Sequence, residues 1–216
     1  PATRTPLPPT RLPAGRPARA AGKGAPPDAG RLVEAAATIL RQVDLLTERT
    51  ARLSRFASPA ASRRELLSGT ELAALVGEVA SDYAAHPMVH VSFRSEEELP
   101  DVLADRALLR DALSNFVLNA VEELERTGGS IEVTLRAIDV GGDRAVEAAC
   151  EDDGPGVPEP DLPRIFDPTF STKSRGSGMG LAAARRAVEE QGGRLLAERS
   201  ARGGLRIGFL LPASKR

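Results

Sequence analysis

Apolar positions along the chain change rhythm twice. Between Leu32 and Ala57 they fall alternately four and three residues apart: Leu32, Ala36, Ile39, Val43, Leu46, Thr50, Leu53 and Ala57. That seam is the signature of a coiled coil or helical bundle and predicts one long helix over residues 31–57. Arg41, Glu48, Arg49 and Arg55 lie off the seam, and Ser58-Pro59 ends it. A lone helix with such a stripe must bury it, either against a second copy or against a neighbouring domain. From Ser68 onward the pattern is that of a globular domain. Thr70-Glu71 opens a helix whose Leu72, Leu75, Val76 and Val79 mark a buried face, and His86-Pro87 closes it. Val89 to Arg94 alternates as a strand, and Val102-Leu103-Ala104 reads as a short one. A second helix is expected from about Asp105 to Arg126, stopped by Gly128-Gly129. Ile131–Arg136 and Arg144–Glu151 form a hairpin across Val140-Gly141-Gly142-Asp143. A third helix runs to Glu190 and stops at Gly192-Gly193, and strands Arg194–Ser200 and Leu205–Leu211 flank Ala201-Arg202-Gly203-Gly204. Helices interleaved with adjacent hairpins predict an α+β domain, a two-layer α/β sandwich with a mixed sheet and helices on one face.

Residues 1–30 differ from everything after them. Pro1, Pro6, Pro8, Pro9, Pro13, Pro17, Pro26 and Pro27 rule out a continuous helix, since each interior proline costs about 3 kcal/mol. Arg4, Arg11, Arg16, Arg19 and Lys23 face Asp28 alone, which reads as a solvated segment. The whole chain of 216 residues has a net charge of −1, so bulk electrostatics point to neither nucleic acid nor a membrane surface. No run of eighteen apolar residues appears, and no membrane contact is expected of this segment. Cys150 stands alone, which excludes an intrachain disulfide and suits a reducing compartment; within a buried strand it is expected to be plain core. The chain opens on Pro rather than Met with no signal-peptide pattern, so a piece of a longer protein is expected.

Candidate chemistry lies in three stretches. In Leu113-Ser114-Asn115-Phe116-Val117-Leu118-Asn119-Ala120, the two asparagines sit at i and i+4 on one helical face, with Leu113, Phe116, Val117 and Ala120 on another. Asn is a poor interior helix residue, so two of them one turn apart invite a reason. An amide oxygen can ligate Mg²⁺, which takes one or two protein oxygens plus nucleotide phosphates. Asp152-Asp153-Gly154-Pro155-Gly156 and Gly176-Ser177-Gly178-Met179-Gly180 then bracket a loop rich in Pro, Ser and Thr. Glycines let backbone approach a ligand closely, and the second cluster runs straight into a helix, presenting free N–H groups suited to phosphate.

Taken in order, NFVLNA, DDGPGVP, IFDPTFSTK and GSGMGLAAARRAVEEQGG resemble the N box, first glycine box, F box and second glycine box of the sensor histidine kinases, within the GHKL group of ATP-binding domains. The resemblance covers roughly residues 31–216, and the short loop between the glycine boxes is similar to that of the nitrogen-regulation type. It implies three regions: a phosphoacceptor region, degenerate or truncated, over 1–30; a dimerisation helix over 31–60; and an ATP-binding catalytic domain over 68–216. Asn119 is matched to the ligand of Mg²⁺ and Asn115 to the N-box residue near the reacting centre. Asp152 is matched to the carboxylate that accepts from the adenine amino group, with Gly154 and Gly156 letting backbone reach the base. Thr172, Lys173, Gly176, Ser177, Gly178, Met179, Gly180 and Leu181 are matched to the phosphate side, where Lys173 would neutralise charge. Phe166 and Phe170 resemble aromatics of a loop, residues 158–176, that closes over nucleotide; for Phe166 plain core packing is the equal alternative.

The resemblance implies ATP and Mg²⁺ as cofactors, a homodimer, a response-regulator receiver domain as partner, and a cytoplasmic location. It further implies transfer of the γ-phosphoryl group to a histidine and on to the regulator's aspartate. A degenerate ATP-binding module that signals without phosphorylating itself is the alternative, and a serine kinase of the anti-sigma type a more distant one. Arg4 to Leu12 is similar to the stretch that follows the family's phosphoacceptor histidine, which would place that histidine at Pro1 and its acidic neighbour at Ala2. His86 and His90, the only histidines, lie beside a predicted strand. Self-phosphorylation of these 216 residues is therefore not expected.

Overall fold

The computed structural model describes residues 63–171 and 178–215. The seam over 31–57, the proline-rich residues 1–30, and Thr172, Lys173, Gly176 and Ser177 lie outside the described residues. The described part is a five-stranded sheet covered on one face by three helices, with a two-stranded sheet beside it. In chain order the elements are β1 (Glu65–Leu67), α1 (Gly69–Asp82), β2 (Val89–Ser95), β3 (Val102–Ala104), α2 (Arg106–Leu124), β4 (Gly129–Val140) and β5 (Asp143–Asp152). A 3₁₀ turn (Glu159–Arg164), α3 (Gly180–Glu189), β6 (Arg194–Arg199) and β7 (Leu205–Pro212) follow. The large sheet has the order β2-β4-β5-β7-β6, with β2 parallel to β4 and every other pair antiparallel. The mixed sandwich expected from the pattern is the one found.

Local signals account for the element ends. Ser68 and Glu71 form a reciprocal capping box at the start of α1: the Ser68 hydroxyl accepts from the Glu71 N–H at 3.3 Å, and the Glu71 carboxylate accepts from the Ser68 N–H at 2.9 Å. Asp105 caps α2, accepting from the N–H groups of Ala107 and Leu108 at 3.0 and 3.2 Å. Its own N–H donates at 2.6 Å to buried Gln191, whose amide donates at 2.7 Å to Ala187 O, so the start of α2 is tied to the end of α3. The β4–β5 ladder runs further than expected, to Val140 opposite Asp143. Its two-residue turn is Gly141-Gly142, with φ +64° and +92°; both residues occupy the left-handed region that a tight hairpin of this hand requires. β1 has no counterpart in the sequence reading: three residues ahead of Ser68 pair antiparallel with β3, Leu66 opposite Leu103.

The core lies between sheet and helices. Phe116 and Phe209 meet at its centre with ring centroids 6.4 Å apart, and Leu72, Leu75, Leu109, Leu113, Ile131 and Ile207 surround them, all fully buried. Cys150 is buried among them, and desolvation, with Asp152 and Glu151 nearby, pushes its thiol far above the usual range, so it stays a neutral apolar side chain. Strand alternation sends Val146, Ala148, Cys150 and Asp152 of β5 toward the helices, and Glu147 and Glu151 to the opposite face. There Glu147 is held between Arg136 and Arg206, and Arg206 reaches Glu198 at 2.6 Å.

Candidate functional site

The C-terminal end of β5, the middle of α2 and the start of α3 converge at one end of the sandwich. Asp152 is the last residue of β5 and only 4% exposed. Its Oδ1 accepts two backbone hydrogen bonds, from Gly154 N at 2.9 Å and from Leu205 N at 3.2 Å. Among the described residues no donor reaches Oδ2. Burial raises the pKa of this carboxyl, and the two N–H groups offset only part of that rise.

Glycines make the close approach possible. A Cβ on Gly154 would stand 2.9 Å from Asp152 Oδ1, and one on Gly204 would collide with Asp152 Oδ1, Asp152 O and the Gly154 nitrogen. Gly156, at φ +73°, lies against the carbonyl of Gly204. The first glycine cluster and the β6–β7 turn therefore form one wall around a single carboxylate. Gly204 and the Leu205 N–H were not among the residues expected at the site. The only sequence signal was the pair Gly203-Gly204, which reads as an ordinary turn until β7 is placed beside β5 with Glu151 opposite Arg206.

The second wall joins α2 and α3. Asn115 and Asn119 are both half-buried on α2, one turn apart, while Phe116, Val117 and Ala120 beside them are in the core. Asn115 Nδ2 donates at 2.8 Å to Asp111 O one turn earlier in the same helix. Its Oδ1 faces Gly180, where a Cβ would stand only 2.8 Å away. Gly180 thus lets the start of α3 lie against the N-box face. The N-cap position of α3, Met179, makes no side-chain capping bond, and Leu181 packs against the core. First-turn N–H groups without a side-chain cap at the end of a ten-residue helix are suited to an anion. Gly178 has φ +63°, and a Cβ there would meet the Thr169 and Phe170 backbone at 2.5 Å.

Of the two aromatics in the intervening loop, Phe166 is 8% exposed and belongs to the core, so core packing accounts for it. Phe170 is half-buried with the Arg164 guanidinium 4.8 Å over its ring. Thr169 beside it has φ +67°, an uncommon conformation for a β-branched residue. The part of the 158–176 loop among the described residues contains a short 3₁₀ turn, Glu159–Arg164. His86 and His90 lie at the same end of the sheet but two strands over from Asp152: His90 stands opposite Ser130 in the β2–β4 ladder, and Ile131 opposite Asp152 in the β4–β5 ladder. The ring of His86 accepts from Met88 N at 3.3 Å, and His90 is exposed on the edge strand β2.

Residues 104–215 match the family described as histidine kinase-, DNA gyrase B- and HSP90-like ATPases. The chain belongs to that family. The chain is similar, over 188 residues at 31% identity, to the sensor histidine kinase ZraS of Klebsiella oxytoca, a match covering 87% of this chain and 40% of ZraS. It is 34% identical over 139 residues to the sensory histidine kinase/phosphatase NtrB of Rhizobium leguminosarum bv. phaseoli, covering 59% of this chain and 36% of NtrB. Among solved structures, full-length ShkA in complex with AMPPNP superposes with a TM-score of 0.67 at 25% identity, covering 85% of this chain and 40% of ShkA. The chain spans well under half the length of these relatives. The sensor histidine kinase resemblance read from the four boxes, including the nitrogen-regulation type, agrees with these comparisons. Among the described residues no helix is long and apolar enough to cross a membrane.

Proposed function

We propose that this ATPase domain binds Mg·ATP and donates its γ-phosphoryl group to a histidine, from which it passes to an aspartate of a response-regulator receiver domain. The observation that carries the reading is Asp152. It is a buried carboxylate whose one oxygen is saturated by two backbone donors and whose other meets no donor among the described residues, with Gly154 and Gly204 packed directly against it. Such an oxygen accepts from an exocyclic amino group, which adenine has at that edge and guanine lacks. The AMPPNP bound to ShkA supports an adenine nucleotide as the ligand class.

At the other wall, the first-turn N–H groups of α3 after Gly178 and Gly180 would receive phosphate oxygens, and Lys173 would neutralise their charge. The described residues hold no cluster of three or more His, Cys, Asp or Glu side chains fit to cage a metal. That suits Mg²⁺ carried in with the nucleotide and held by one amide oxygen, that of Asn119, with the phosphates and water completing its shell. Mg²⁺ there supplies charge neutralisation on the phosphates. Asn115, whose amide donates to Asp111 O and whose Oδ1 faces Gly180, would be the positioning group beside the reacting centre. The seam over 31–57 is assigned to a homodimer, and the reducing compartment suited to Cys150 is the cytoplasm.

Neither His86 nor His90 matches the family's phosphoacceptor, so the accepting histidine is assigned to a position outside these 216 residues. Calorimetry should detect binding of Mg·ATP, with the Mg²⁺-dependent part of the affinity lost in Asn119→Ala. γ-Labelled ATP should leave no acid-labile, base-stable label on the chain itself. Absence of ATP binding with and without Mg²⁺ overturns the nucleotide reading. Label on His86 or His90 that disappears on their mutation overturns the assignment of the acceptor to a position outside these 216 residues.

A further inference from the structure

Three consecutive carboxylates, Glu151, Asp152 and Asp153, span the end of β5 and the residue after it, and the outer two hold something the middle one needs. Glu151 Oε1 accepts from the Ser200 hydroxyl at 2.7 Å, and that hydroxyl also accepts from Arg202 N at 2.9 Å. Asp153 accepts from Ser130 N at 2.8 Å and from the Ser130 hydroxyl, and Asp153 N returns a bond to Ser130 O at 3.3 Å. Arg202 then reaches across the β6–β7 turn to the Ser130 hydroxyl, with Asp153 Oδ2 3.8 Å from its guanidinium. The turn is closed on itself by Ser200 N donating to Gly204 O at 2.9 Å and Gly203 N donating to Ser200 O at 3.0 Å. Both carboxylates flanking Asp152 therefore grip the same four-residue turn. That turn carries Gly204, in direct contact with Asp152, and leads into the Leu205 N–H that saturates Oδ1.

We infer that Ser130, Asp153 and Arg202 form a clasp that positions Asp152 for base recognition, acting through the β6–β7 turn rather than by touching the nucleotide. This inference rests on the adenine reading of Asp152 given above. If the turn lifts, Leu205 N leaves Oδ1, the carboxylate is free to rotate, and Oδ2 is no longer held toward a ligand. Arg202 is the accessible handle on the clasp, one-third exposed at its side chain and reaching Ser130 of β4 and Asp153, the residue after β5. The Asp153 carboxyl is partly desolvated, yet the Ser130 bonds and Arg202 hold its pKa below the ordinary carboxylate range, consistent with a clasp that is charged at neutral pH.

The test compares ATP with the analogue that lacks the 6-amino group, purine riboside triphosphate, by calorimetry on the full chain. The wild-type chain should prefer ATP. Arg202→Ala and Asp153→Ala should each lower that preference by about tenfold, the scale of one hydrogen bond to a charged acceptor, while binding of the analogue barely changes. Arg202→Lys, which keeps the charge and one donor, should recover part of the preference. Circular dichroism melting run alongside separates this from loss of fold, and Arg202→Ala serves if Asp153→Ala does not fold. A lowered melting temperature with an unchanged preference ratio in Arg202→Ala overturns the clasp as a positioning device. A wild-type chain that does not distinguish the two nucleotides overturns the adenine reading itself, and the clasp with it.

Discussion

Asp152→Asn is the substitution that separates binding from folding in this domain. The side chain keeps its shape, and two backbone donors, Gly154 N at 2.9 Å and Leu205 N at 3.2 Å, demand an acceptor at the Oδ1 position. The amide oxygen must therefore stay there, which forces the NH₂ group into the place of Oδ2. A donor would then face the adenine amino group, itself a donor. The lost bond to a charged acceptor corresponds to about 1.5–3 kcal/mol, or roughly a 10- to 150-fold rise in the dissociation constant for ATP. Folding should respond in the opposite direction. Burial raises the carboxyl's pKa in the native state above its ordinary value of 3.8, so between those two values the native chain holds more protons than the unfolded chain. Native stability contributed by this group is full at low pH and falls as pH rises through that window, leaving the ionised form a net cost at neutral pH. The neutral amide removes that cost. Urea denaturation without nucleotide should find the variant at least as stable as the wild type at pH 7.5, with the difference shrinking toward pH 4. Calorimetry at pH 7.5 should find ATP binding weakened. A variant that binds ATP as the wild type does, or that is less stable at pH 7.5 than at pH 4 relative to wild type, would refute the reasoning.

Two further outcomes follow from the core and the seam. Phe116, fully buried against Phe209, should cost about 3–5 kcal/mol when cut to Ala, since the sheet behind it cannot collapse into the space; a loss below about 1 kcal/mol in denaturant melts would show the core to be looser than described. Leu46→Glu, at the centre of the 32–57 seam, should convert a concentration-dependent dimer into monomer by light scattering, and a wild-type chain that stays monomeric at high concentration would end the dimer reading.

What could be read from the chain alone was whatever local chemistry and short periods dictate. Helical spacing put Asn115 and Asn119 on one face beside a buried Phe116, because 3.6 residues per turn fixes neighbours at i+4 whatever the rest of the fold does. The alternation in Val89–Arg94 and the apolar steps of α1 likewise named their buried sides. The glycine clusters announced close approach without saying to what. β1 escaped notice because three residues are too few to show a period, and only its pairing with β3 makes it a strand. Phe166 was undecided because an aromatic in a proline-rich loop looks the same whether it faces the core or a ligand; the path of the chain buries it.

The rest was settled by register. Leu205 reaches Asp152 across 53 residues, Ser200 reaches Glu151 across 49, and Arg202 reaches Ser130 across 72. Each of these pairs meets only because β4, β5 and β7 lie adjacent with one alignment of their ends. Hydrogen bonding between strands couples residues by position in the ladder and not by distance along the chain, so no local pattern could have shown that the turn at 201–204 closes on the carboxylate at 152.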